Sequence, residues 1–412
     1  MTADMHYPDL PLSDRHARLD TLLDELAWLW RPQPYKTARP PWCGRLPALT
    51  DTLLGLSEAA LLALEDDNTA LLEMIAAHVP SAAGLAELNR FPDRTAAALA
   101  GIGPQMVWAI PGRKWTQITA FARALGPVRG PLLEWCGGKG HLGRLLAAQG
   151  AAPVLTVERD PRLCEEGVVL ARRARVTQDF QVVDVMSPAA MELIGGHHVV
   201  ALHACGELHR QLLRDAVTAG VAALDVAPCC YAVGAAAVYQ PLSPTARLML
   251  TRDDLRLAVT ETVTSQPRVV ALRDREMAWK LGFDLLRRKV TGHDEYLSIN
   301  PIDKNWLALD FVEFCRRLAA REGVAVPAAV AWDAYEGHGW RRQRETRRLS
   351  LARHAFRRSL EVWLVLDMAD YLVARGYAVD VGTFCPRQVT PRNILLSARR
   401  PEPLSRSAVP AG

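Results

Sequence analysis

The ten residues from Glu134 to Gly143, EWCGGKGHLG, carry the most chemistry per residue in the chain. Gly138, Gly140 and Gly143 spell G-x-G-x-x-G, the spacing that seats a dinucleotide pyrophosphate on a helix N-terminus. The same stretch spells acid-x-x-x-G-x-G, a turn that suits S-adenosyl-L-methionine. The acids decide between the two ligands. A carboxylate at Glu134 repels a pyrophosphate and attracts the ammonium and sulfonium of S-adenosylmethionine, directly or through water. Glu158 closes a second apolar run and is placed to accept both ribose hydroxyls. Asp184 closes a third and suits the exocyclic amine of adenine. The ordered set predicts S-adenosylmethionine held by Glu134, Glu158 and Asp184, with Cys136, Gly137, Gly138 and Gly140 forming the turn against it. The structural alternative for each acid is a helix N-cap, since acids are common where strands give way to helices.

Two further motifs gather thiols and an imidazole: His203-Ala204-Cys205-Gly206 and Pro228-Cys229-Cys230-Tyr231. With Cys136 they are expected at one edge of a sheet, beside the crevice where ligands bind. The thiols admit three readings: a polarisable pocket wall, a nucleophile that adds to a pyrimidine ring, or a soft-metal or iron–sulfur site. RNA cytosine methyltransferases use a Pro-Cys after the fourth strand, whereas Pro-Cys-Cys here follows the fifth. No C-x-x-C occurs, so metal ligands would come from separate loops, and no metal is assigned. The favoured chemistry is direct in-line methyl transfer to a nitrogen or oxygen, which needs positioning and a base. His203 is the candidate base, or else a residue that only orders its loop. Cys229 and Cys230 are carried as catalytic candidates, and Tyr231 either stacks on a flat substrate or fills the pocket. No Asn-Pro-Pro-aromatic motif follows the fourth run, so adenine-N6 chemistry is not signalled.

Short apolar runs alternating with helices must position these groups. PLLEWC, PVLTVE, FQVVDV, HVVALH and AALDVA read as strands separated by helices, which predicts right-handed parallel crossovers and a doubly wound sheet. YAVDVGTF and NILLSAR supply an antiparallel closing pair. The fold class is therefore α/β, a class I (Rossmann-like) methyltransferase sheet. The expected parts are an N-terminal helical domain over 1–125, the core over 126–244, a helical insertion over 245–375, closing strands over 376–400, and a disordered Pro- and Ser-containing tail over 401–412.

From Gly112 to about Arg400 the chain resembles the methyltransferase-like 25 family. The matching pieces are GRKWTQI, EWCGGKGHLGR, LHACGELH, PCCY and TPRN. The HACG and Cys-Cys pair are more distantly similar to the eukaryotic tRNA acceptor-stem ribose methyltransferases. The resemblance implies that Lys114 and Gln117, on the helix leading into the first strand, reach the methionine carboxylate. Two positions depart from the pattern: Ala232 stands where members often carry His, and Thr390 replaces a usual Ser.

Half of the 412 residues are hydrophobic and 23% are charged, an ordinary globular profile, and the net charge of +4 is too mild to hold nucleic acid by itself. The expected environment is cytoplasmic. The N-terminus lacks a signal-peptide pattern, the most apolar stretch is broken by Asp225 and Pro228, and the cysteines follow no disulfide framework. Between Arg341 and Arg358, however, lie eight arginines and one acid, Glu345. Arg341, Arg344, Arg347 and Arg348 are expected to hold phosphates, with Arg341, Arg344 and Arg348 on one helix face and Arg347 with Arg358 on a neighbouring one. The alternative is a solvated face paired to acids. The expected partner is RNA, tRNA or rRNA; the sequence names no protein partner and no membrane. A protein or small-molecule methyltransferase, and a cofactor-binding module without activity, remain alternatives.

Overall fold

In the computed structural model, residues 10–94, 97–150, 153–260 and 266–401 are described; most of the tail expected to be disordered lies outside them. Seven strands form one sheet: β1 Leu132–Trp135, β2 Val154–Glu158, β3 Gln178–Val182, β4 His198–Cys205, β5 Ala223–Cys229, β6 Ala378–Thr383 and β7 Ile394–Arg399. Their order is β3-β2-β1-β4-β5-β7-β6. The first five are parallel, and β7 runs antiparallel between β5 and β6. This is the Rossmann-like class I arrangement expected from the alternating runs. Every residue of β1 and of β5 is buried, as befits parallel strands covered on both faces.

Buried polar groups lock the last strand to the middle of the sheet. Asp225 on β5 accepts from His198 Nε2 of β4 at 2.5 Å and from Arg399 of β7 at 2.8 Å, and Ser397 bonds its other oxygen. The backbone N–H of Arg129 donates to His198 Nδ1 at 3.2 Å, so the imidazole proton sits on Nε2, facing the acid. Burial pushes the Asp225 carboxyl up, but His198 and Arg399 outweigh it and hold the acid below its usual range.

Two strands run further than the apolar runs suggested, and one stops earlier. β3 starts at Gln178 and ends at Val182, leaving Asp184 in the loop beyond it. β4 extends to Cys205 and β5 to Cys229, so the HAC and Pro-Cys segments belong to the strand ends instead of following them.

Contacts divide the chain into two units at boundaries other than those the sequence suggested. One unit contains residues up to 24, 87–260 and 358 onward; the other contains 25–86 and 261–357. Buried carboxylates tie both outlying helices to each other and to the segment that follows β5, within the unit that holds the sheet. Asp20, on helix Leu12–Glu25, accepts from the N–H of Leu248 at 3.0 Å and from Trp363 Nε1 at 2.9 Å. Asp367, on helix Arg357–Val373, accepts from Tyr239 Oη and from the N–H groups of Leu242 and Ser243. His16 and Asp370 join the same two helices at 2.6 Å. The segment around Asp93 completes this unit by pairing with the edge of β6: the Arg94 N–H donates to Thr383 O and the Thr383 N–H to Pro92 O. The last residue of an otherwise open strand edge is thereby paired.

The second unit is helical. Helices Pro267–Thr291 and Trp332–His354 approach so closely that a Cβ on Gly339 would stand 2.1 Å from Ala278 O. Among the described residues no single helix is long and apolar enough to cross a membrane. The bent pair Pro47–Leu54 and Glu58–Asp66 reaches that apolar length only when its two arms, at 108°, are joined.

Candidate functional site

The glycine turn rests on a polar relay beneath the sheet edge. Gln178 Nε2 donates to Gly140 O at 3.0 Å and to Thr156 Oγ1 at 2.8 Å, and the Thr156 hydroxyl donates to Glu134 Oε2 at 2.8 Å. Glu134 and Thr156 are register partners on β1 and β2, which is why they meet. The amides of Leu142 and Gly143, in the first turn of helix His141–Ala148, also bond Glu134. Burial raises the Glu134 carboxyl to about 7, against the pull of Thr156, these amides and Lys114. With 4% of its surface exposed, Glu134 supports the turn from below and is not among the residues lining the nearby cavity.

The turn needs its glycines. Gly140 has φ 63°, and a Cβ there would fall 2.3 Å from Gln178 Nε2 and 2.6 Å from the Phe180 ring. Gly138 has φ 60° but nothing within 4 Å of its missing Cβ, so its open side is free for a ligand.

Glu158 is fixed by three backbone donors. Its Oε2 accepts from Gly138 N–H at 3.1 Å, and its Oε1 from Arg159 and Asp160 N–H at 2.9 and 3.1 Å. It lines a cavity of ≈ 380 Å³ together with Cys136, Asp184 and Cys205. Val183, Val185, Met186 and Val233 give that cavity apolar walls. This volume lies within the roughly 300–1,000 Å³ common for small-molecule sites. Asp184 accepts from the Met186 N–H at 2.9 Å, which shapes its loop as a turn. Cys136, in a left-handed conformation at φ 54°, has its thiol pushed up to about 12 by burial and by Glu158.

His203 sits in a bulge of β4 at φ 72°, where the register to β5 slips between Leu202 and Cys205. Its Nε2 lies 2.8 Å from Gln117 Oε1, while Gln117 Nε2 donates to Val389 O at 3.1 Å. The second bond orients the amide, so Oε1 faces the ring and the imidazole proton is assigned to Nε2, leaving Nδ1 as the free lone pair. Desolvation, then repulsion from Lys114 and Arg392, lower the His203 pKa, against an opposing pull from Cys230. Gln117 is thus buried between a backbone carbonyl and His203, where the resemblance implied a contact with the methionine carboxylate. Lys114 is exposed one turn earlier on helix Gly112–Ala124, close enough to Glu134 and His203 to act on their charge.

The sulfurs of Cys205, Cys229 and Cys230 converge within 4.8 Å of one another. Hydrogen bonds from the other two thiols make Cys230 the preferred thiolate and push Cys229 up, while Arg392 and His203 further favour charge on Cys230. Tyr231 is 3% exposed and packs edge-on against His209 at 5.8 Å, so it fills the core behind the site and is closed to stacking on a substrate.

The arginine-rich stretch is not one helix. Helix Trp332–His354 ends before a second begins at Arg357, which separates Arg358 from Arg347. Arg347 pairs with Glu58 at 2.6 Å and Glu65 at 3.0 Å, and Arg348 bonds Leu56 O and approaches Glu58. Arg341 and Arg344 are exposed, make no ion pair among the described residues, and line a pocket of ≈ 270 Å³ with Arg348 and Glu345.

The sequence reading missed Thr156, Gln178, the Val389 carbonyl and Arg392. Thr156 carried a signal: a polar residue inside a run buried on both faces needs a partner.

Residues 113–235 match a family model described as a methyltransferase domain. No curated protein matches the chain. The matched segment runs from helix Gly112–Ala124 through the glycine turn, the cavity-lining acids and the thiol cluster. Residues 113–235 are therefore similar to a methyltransferase domain, which supports methyl transfer as the general class of chemistry.

Proposed function

We propose that this domain uses S-adenosylmethionine to methylate RNA, tRNA or rRNA, by direct in-line transfer to a nitrogen or oxygen. The observation that carries the cofactor reading is Glu158, whose carboxylate is held by three backbone N–H groups at the rim of a cavity also lined by Asp184. A carboxylate fixed in this way is preorganised to accept two vicinal hydroxyls. The open side of Gly138 gives the ligand its approach, and the apolar wall from Val183 to Met186 suits a flat base with Asp184 at its amine edge. Bound there, S-adenosylmethionine supplies an electrophilic methyl group on a sulfonium. Glu134, below the turn, offers compensating charge, and exposed Lys114 is available to a carboxylate.

Gln117 holds the Nε2 proton of His203, so Nδ1 is the atom that takes the acceptor's proton. The lowered pKa keeps that lone pair free at neutral pH. The RNA reading rests on Arg341 and Arg344, exposed cations without ion pairs among the described residues, and on HACG, PCCY and TPRN, for which we infer kinship with the methyltransferase-like 25 family. A cytoplasmic location belongs to the same proposal and is supported by eight free cysteines.

Glu158→Ala should weaken S-adenosylmethionine binding by ~1.5–3 kcal/mol, as expected for losing hydrogen bonds to a charged acceptor. Unchanged affinity by calorimetry would remove Glu158 from the cofactor site. Comparing nucleosides by mass spectrometry in cells with and without the gene tests the substrate: a missing methylated nucleoside supports RNA, and an unchanged profile rejects it.

A further inference from the structure

Direct transfer to nitrogen or oxygen leaves the three grouped thiols without a task. Cys205 ends β4, Cys229 ends β5, and Cys230 follows it. A regular parallel ladder would not gather them. Cys205 and Cys229 are register partners and share a face, with their sulfurs 3.3 Å apart. Cys229 and Cys230 are consecutive, so an extended strand would send their side chains to opposite faces.

Two left-handed residues undo that geometry. The bulge at His203, φ 72°, sets Cys205 opposite Cys229, and φ 49° at Cys230 turns its side chain back toward the pair. Residues with a Cβ disfavour that region, and strain of this kind persists where the surrounding structure demands it. Weak thiol–thiol hydrogen bonds are a poor return for two strained positions.

We propose that Cys205, Cys229 and Cys230 form a three-thiolate site for Zn²⁺, with a fourth coordination position open toward the cavity that Cys205 lines. Zinc–thiolate bonds of about 2.3 Å in a tetrahedron set sulfurs roughly 3.8 Å apart. The Cys205 and Cys229 sulfurs are 3.3 Å apart and all three sulfurs lie within 4.8 Å of one another, so shifts of about half an ångström in the first pair bring the group to that geometry. Soft thiolates select a borderline-soft d¹⁰ ion over hard cations. A dication with three thiolates carries one net negative charge, and Arg392 stands close enough to Cys230 to compensate it. Three protein ligands and one open position are the arrangement of zinc sites that bind water or a reacting group, whereas structural sites are closed by a fourth ligand.

The test uses the full chain, reduced and purified without chelator, and does not depend on S-adenosylmethionine. Elemental analysis should find one zinc per chain. After removal of the metal, titration with Co²⁺ should give thiolate charge-transfer absorption and the visible bands of a tetrahedral site. Cys230→Ser should weaken cobalt binding at least tenfold while Cys43→Ser, in the helical unit, leaves it unchanged. Alkylation of the wild type needs no variant: added zinc should protect Cys205, Cys229 and Cys230 from iodoacetamide and leave the rate at Cys43 unaltered. A folded, fully reduced chain that takes up neither zinc nor cobalt would overturn the proposal. So would a cobalt spectrum that survives Cys230→Ser, or a Cys205–Cys229 disulfide in the freshly isolated protein.

Discussion

Glu134 is where a single carboxyl controls most. In the folded chain it titrates at about 7, against an ordinary value of 4.5. The native state therefore keeps a proton that the unfolded chain has already lost. Its contribution to stability is full below pH 4.5 and falls away as pH rises through 7, by of order 3 kcal/mol. Denaturation midpoints followed from pH 5 to 8 should show this decline, and Glu134→Gln should flatten it. A cationic ligand prefers the ionised form, so S-adenosylmethionine should bind several-fold more tightly at pH 8 than at pH 6, a gain absent from the same variant. Gln117 makes a different prediction. Gln117→Ala frees the His203 ring to turn and should lower turnover by roughly 10²-fold, the low end of general-base contributions, with cofactor affinity intact. Single-turnover rates beside calorimetry would separate the two effects. That Glu158, Asp184 and Cys136 line one cavity was legible because acids and turn residues at or just beyond strand ends announce themselves locally. The partners of Gln117 were not, because Val389 is remote in sequence and its contribution is a backbone carbonyl that any residue could supply.

Elements were legible to the extent that their boundaries coincide with apolar runs. All seven strands lie on or overlap such runs. Gln178 escaped because a polar residue opens β3, and the ends of β4 and β5 escaped because pairing resumes at Cys205 and Cys229, beyond the bulge at His203 and beyond Pro228, where hydropathy falters. The break after His354 has neither proline nor glycine to mark it, so 332–373 reads as one helix. Tight passages between elements are also invisible in sequence until the fold is known. Gly206, at φ 58°, follows β4, and a Cβ there would stand 2.0 Å from Val233 O. Since the obstacle is backbone, Gly206→Ala should cost ~2 kcal/mol or more from left-handed strain and overpacking. A urea titration would read this as a lower midpoint at unchanged slope.

At the scale of the molecule, charge is nearly balanced, and the arginine run is the exception. Most of that run is committed internally: Arg347 and Arg348 engage Glu58, Arg342 bonds Glu345, and Arg358 bonds Glu361. Only side-chain geometry separates these from Arg341 and Arg344, so composition overstated the patch. If the two exposed arginines hold RNA phosphates, replacing both with Glu should weaken RNA binding. It should also reduce the slope of log affinity against log salt by about 0.7–0.9 per lost contact. An unaltered slope would return both residues to solvated surface. The division into units escaped the sequence for a related reason. Asp20 and Asp367 carry the joints, and a lone acid in a helix gives no hint that its partners lie more than a hundred residues away.

The position of β7 bears on how the protein is made. The chain leaves β5 at Cys229 and returns beside it only at Ile394, yet all seven residues of β5 are buried in the finished sheet. A ribosome adding ~5–20 residues per second leaves that strand's flank without its neighbour for roughly 10–30 s. Throughout that interval an apolar strand edge is available to chaperones or to other nascent chains. Translation arrested before Ile394 should yield ribosome-bound chains readily cut by protease around β5. Arrest on a linker appended after Gly412, long enough to bring Arg399 out of the exit tunnel, should yield resistant ones.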